Sequence, residues 1–86
     1  ALINRGEFAD AERQLRRAIE HGFEADHLLY ALALCCGRQG DIEGAHRNLE
    51  RAIELDPRNR ARARADGDFA DLVRHPRIAA LLSPGR

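Results

Sequence analysis

The sequence predicts an all-α protein, a stack of antiparallel helix–turn–helix units. Three observations carry that expectation. The chain repeats itself after 34 residues: the stretch from Ile3 to Phe23, INRGEFADAERQLRRAIEHGF, returns from Gly37 to Pro57 as GRQGDIEGAHRNLERAIELDP. Within both copies the apolar residues recur in steps of three and four, the spacing of one face of a helix. Between the copies lies a stretch that is apolar on nearly every side, which only neighbouring helices can cover.

The first helix is expected from Glu7 to His21, with Phe8, Ala11, Leu15, Ala18 and Ile19 as its apolar stripe. Gly6-Glu7 should break it from whatever precedes. Glu12 and Arg16 stand four apart with the acid first, the favourable order on an exposed face. His21 sits where it can cap the last carbonyls and meet the helix dipole. The second helix, Asp26 to Arg38 (DHLLYALALCCGR), is the all-round apolar one, and its Ala31, Ala33 and Cys36 permit close approach of neighbours. Gly40-Asp41 ends it. Asp41 is a natural N-cap for the third helix, which runs to Leu55 on a stripe of Ile42, Ala45, Leu49, Ala52 and Ile53. Glu43 and Arg47 repeat the acid-first pair, and Pro57 stops the helix. Downstream, RNRARAR (Arg58 to Arg64) suits a helix. DGDFADLVRHPRIAALL then suggests a turn and a short helix, with Phe69, Leu72, Ile78, Leu81 and Leu82 as its apolar face.

Composition narrows the chemistry. Eighty-six residues make one small domain, near the size at which a single core supplies only a few kcal/mol. The chain has no Lys, no Thr and one Ser, so nucleophiles and acid–base groups are scarce and catalysis is not expected. Its all-Arg basic set, with abundant Ala, reflects genome composition. The four histidines, His21, His27, His46 and His75, form no i,i+4 pair, so neither a metal site nor a cofactor is expected. Cys35 and Cys36 are adjacent and mid-helix, where thiols behave as small hydrophobes and build no disulfide framework. A reducing, cytoplasmic setting is therefore expected. No apolar run reaches the roughly 18 residues of a membrane span. Charge is zero overall but dipolar: residues 1–57 hold 7 Arg and 11 acids, residues 58–86 hold 7 Arg and 3 Asp.

The strongest cluster is Arg58, Arg60, Arg62 and Arg64. On a helix, alternate residues spread over about 200° of arc, so the four do not make one stripe. A solvated helix paired with Asp66, Asp68 and Asp71 is one reading; an acidic protein partner or the phosphates of nucleic acid are the others. No aromatic residue is interleaved for base stacking.

A 34-residue period with two helices per unit is a solenoid signature. The chain resembles the tetratricopeptide repeat, whose pattern runs W-x2-L-G-x2-Y, A-x3-F, A, P. Residues 26–59 supply Leu29-x2-Leu32-Ala33-x2-Cys36, Ala45-x3-Leu49, Ala52 and Pro57, at matching spacing throughout. The resemblance implies a right-handed α-solenoid in which residues 1–25 are the second half of a repeat, 26–59 a complete repeat, and 60–86 a degenerate repeat acting as C-terminal cap. It implies a concave groove lined by the first helix of each unit: His27, Tyr30, Leu34, Gly37 and Arg38, with Ile3 and Asn4 from the half repeat and Arg64 and Asp68 from the degenerate one. Chaperone-binding relatives hold a carboxylate with Lys and Asn where this chain has Tyr30 and Leu34, so that clamp is missing. The expected role is non-catalytic: a partner's peptide or helix bound in the groove, with Tyr30 as anchor. Alternatively Tyr30 and Leu34 pack against a neighbouring repeat. A stack usually needs about three repeats. The chain is therefore expected to be the end of a longer array or to complete itself as a homo-oligomer through Leu2, Ile3 and Phe8. Contact with nucleic acid through Arg58–Arg64 is the third reading.

Overall fold

The computed structural model describes residues 5–22 and 25–83, with side chains from Glu7 onward; Leu2, Ile3 and Asn4 lie outside the described residues. Five α-helices succeed one another: α1 (Arg5–Glu20), α2 (Asp26–Arg38), α3 (Ile42–Leu55), α4 (Arg58–Ala65) and α5 (Pro76–Leu82). Two short 3-10 turns, Gly67–Phe69 and Leu72–Arg74, join α4 to α5. No strand occurs among the described residues.

The α2–α3 hairpin is the centre of the molecule. Asp41 caps α3 as its residue type requires, its Oδ1 accepting from the Gly44 amide at 2.9 Å. Gly40 makes the reversal possible at φ +86°, a left-handed conformation that costs glycine nothing. The turn is closed by the Asp41 amide, which donates to the Cys36 carbonyl at 2.9 Å. Sequence logic fails at the counterpart of this turn. Gly6, 34 residues before Gly40, lies inside α1 rather than in a break. A helix continued through one glycine costs only about 1 kcal/mol.

Leu32, Ala33 and Cys36 of α2 meet Ala45, Leu49 and Ile53 of α3 in one cluster, which Ala63, Phe69, Leu72, Ile78 and Leu82 complete from the C-terminal side. Burying each large member fully contributes about 1.5–3 kcal/mol, so the tail supplies roughly half of the core. The apolar face expected of that tail is therefore present, with Leu81 half-buried at its edge. Pro76 opens α5 at its first turn, where the missing amide is no loss.

Two polar devices hold the tail. Asn59, 1% exposed, donates from Nδ2 to Asp26 Oδ2 and to the Ala52 carbonyl, both at 2.9 Å. One side chain thereby joins the start of α2, the end of α3 and the start of α4. Further along α4, Arg60 Nε donates to the Leu81 carbonyl at 3.3 Å and Arg64 Nη1 to that of Leu82 at 3.5 Å. These are last-turn carbonyls of α5, which have no partner within their own helix.

Candidate protein-interaction site

The α2 positions singled out by the groove pattern lie along one face of the helix, and the tail runs beside them. Tyr30 is half-buried. Its hydroxyl donates to Asp66 Oδ2 at 2.8 Å, and its ring meets that of Phe69 edge-on with centroids 4.9 Å apart. The Arg62 guanidinium lies 5.8 Å from the Tyr30 centroid, within cation–π range. Burial, reinforced by the hydrogen bond to Asp66, raises the phenol's pKa above its ordinary value. One turn further along, Leu34 is half-buried against the core cluster. Arg38 forms an ion pair with Asp68 at 3.7 Å, and His27 is exposed at the other end. The outcome is a short apolar floor around an oriented tyrosine, edged by charges of both signs.

Arg64 is not beside Tyr30. A strict 34-residue step from Tyr30 lands on Arg64, but α4 starts at Arg58, two residues ahead of the period set by Asp26. Two residues turn a helix by about 200°. Arg64 consequently faces α5, while Arg62 and Asp66, fifth and ninth from Arg58, come to Tyr30. These two are the residues that strict periodicity missed. The signal was Pro57: a proline that stops one helix can open the next directly behind it.

The arginine cluster disperses in space. Arg58 pairs with Asp56 behind it, Nη2 to Oδ2 at 2.8 Å and Nε to both oxygens, so Asp56 titrates below the usual carboxylate range. The expected partners Asp66, Asp68 and Asp71 do not take it. Arg60 and Arg64 close α5, and Arg62 covers Tyr30. Four arginines that adjoin in sequence thus point three ways and present no continuous strip to a phosphate backbone.

Other side chains tie the helices together. Cys36 is fully buried, with Glu12, Arg16 and Asn48 about 4 Å from its sulfur. Burial, aided by the Glu12 carboxylate, pushes its thiol up to about 11, and burial raises Cys35 as well. Both are free thiols. Glu12 also accepts from Gln39 Nε2 at 2.6 Å and pairs with Arg16 at 2.8 Å. The parallel pair expected between Glu43 and Arg47 is not formed. His21 Nδ1 donates to the Arg17 carbonyl at 2.8 Å, the cap expected of it. No group of three or more His, Cys, Asp or Glu stands close enough to hold a metal among the described residues, and none of their helices is long and apolar enough to cross a membrane.

The family model described as the tetratricopeptide repeat matches residues 27–59. No curated protein and no solved structure matches the chain. The match begins one residue into α2 and ends within α4, covering the whole α2–α3 hairpin. The match and the helices agree over residues 27–59, which are similar to a tetratricopeptide repeat, a unit that in general serves contacts between proteins and not catalysis.

Proposed function

We propose that the α2 face formed by His27, Tyr30, Leu34 and Arg38 binds a peptide or helix of a partner protein, with Tyr30 as the anchor. The observation that carries this reading is the orientation of Tyr30. Its hydroxyl and its ring are both engaged, yet part of the residue stays exposed. A side chain already held in one rotamer loses little entropy on binding, and tyrosines of this kind dominate interface energetics. Arg38, Asp68 and His27 supply rim charges that would set the register of the bound segment. A cytoplasmic location fits two buried thiols that gain nothing from an oxidising compartment.

The test is affinity capture from the source organism's lysate, with the native domain beside Tyr30→Ala and His27→Glu variants checked for retained helicity. Proteins captured by the native domain and lost by both variants support the groove. Identical capture by all three baits overturns it.

A second reading, continuation of the array or self-assembly, is favoured by a contrast between α1 and α3. Ala45, Leu49, Ala52 and Ile53 are at most 6% exposed, whereas their counterparts Ala11, Leu15, Ala18 and Ile19 are half-buried, as is Phe8. Among the described residues, no helix covers the α1 stripe as fully as α2 covers that of α3. Light scattering over a dilution series decides between a lone monomer and a second copy that covers it.

A further inference from the structure

On the side of α2 away from Tyr30, helices α1 and α3 flank a cleft of about 220 Å³. Its floor is apolar: Leu29 and Leu32 from α2, with Ile19 from α1. Arginines stand on both walls, Arg16 on α1 and Arg47 and Arg51 on α3, one turn apart. A single acid, Glu20, joins them. We propose that this cleft is a second binding site, for an acidic protein segment carrying one aliphatic side chain.

Three features argue for that occupant. The first is shape: a cavity of about 150 Å³ accommodates a benzene molecule, so this cleft has room for a leucine-sized side chain on its leucine floor. The second is charge. Three guanidiniums stand against two carboxylates, Glu20 and the Glu12 that pairs with Arg16, and this positive excess favours an anionic ligand; the planar fork of arginine matches a carboxylate with two parallel hydrogen bonds. Arg16 is held in place by Glu12, its Nε 2.8 Å from Oε2, while Arg47 is exposed and has no hydrogen bond or ion pair among the described residues. The third is repetition. Arg47 and Arg51 stand 34 residues after Arg13 and Arg17, so the repeat places the same basic pair on both α1 and α3, beside the same leucine and the same Ala-Ile-Glu. Nucleic acid fits less well, because the floor offers no aromatic ring for a base and Glu20 repels a phosphate run.

The site is independent of the Tyr30 face, and its test separates the two. A fluorescein-labelled peptide with two glutamates on each side of one leucine is titrated by anisotropy against the native domain, Arg47→Ala, Arg47→Glu/Arg51→Glu and Tyr30→Ala. The expected result is saturable binding that weakens about tenfold in Arg47→Ala and is lost in the double variant, while Tyr30→Ala leaves it unchanged. Replacing the peptide's glutamates by glutamine, or its leucine by serine, should weaken binding by a similar factor. Absence of saturable binding to the native domain overturns the proposal. So does binding that survives the double variant, or that depends on Tyr30 instead.

Discussion

Gly37 decides whether the tail is seated on α2. A Cβ added there would lie 2.6 Å from Leu72 Cδ2 and 2.9 Å from Leu72 Cγ, and closer still to Cδ1. At an open helical position Gly→Ala gains about 1 kcal/mol in propensity. Here that gain meets a buried leucine, 5% exposed, in the middle of the core cluster. Because Cγ is in the way as well as the methyls, rotating the end of the side chain does not relieve the clash; the 3-10 turn must move. Overpacking of this kind costs about 1–3 kcal/mol, so the clash wins. Gly37→Ala is expected to destabilise the domain by about 1 kcal/mol, lowering the urea midpoint by about 1 M for a chain this size. Leu72→Val alone should cost about 1 kcal/mol, and the double variant should lose less than the sum because the new methyl enters vacated space. Gly67→Ala, where a Cβ meets nothing within 4 Å, serves as the control. A urea midpoint raised by Gly37→Ala would mean that Leu72 does not lie over α2, and the account of the tail would fall with it.

Two further outcomes arise from the polar contacts. Tyr30→Phe keeps the ring against Phe69 and Arg62 but loses the hydroxyl's bond to Asp66, so thermal unfolding should show a loss of about 1 kcal/mol; a variant as stable as the native domain would show that the bond contributes nothing. Cys36 makes stability pH-dependent. The folded protein keeps the thiol proton to about 11, whereas an unperturbed thiol releases it near 9.0. Between those values the folded state binds the extra proton, so stability is full below about pH 9 and falls as pH rises towards 11. Urea titrations at about pH 8 and about pH 10.5 should show the fall, and Cys36→Ala should reduce it without abolishing it, because Cys35 and Tyr30 are also raised; an unchanged slope in the variant would place the titration elsewhere.

Much of this architecture was legible because local signals agreed. Asp26 and Arg38 bound α2 where the apolar run begins and ends, and Asp41 caps α3 through the amide of the residue three places on. Legibility failed where tertiary context outvoted a local sign. Gly6 is the counterpart of Gly40, yet it is taken up into α1. Arg64 sits at the right period but on a helix that starts two residues early, and rotation carries it away from Tyr30. The basic cleft was invisible for a different reason: Arg16 and Arg47 belong to helices that flank one cleft only because each covers part of α2, and no spacing along the chain announces their proximity.

Asn59 closes the 34-residue period, yet in space it is the place where the period is sewn to the tail. Its amide reaches Asp26, at the opening of the repeat, and the Ala52 carbonyl, while its backbone belongs to α4. The arithmetic of the repeat and the seams of folding therefore do not coincide. In a long array each unit contacts only its neighbours, and unfolding can fray from an end. Here Asp26 and Asn59, 33 residues apart, are tied together through α4. Helices α2 to α5 should accordingly melt in one cooperative step, and amide exchange in α5 should report the opening of α2.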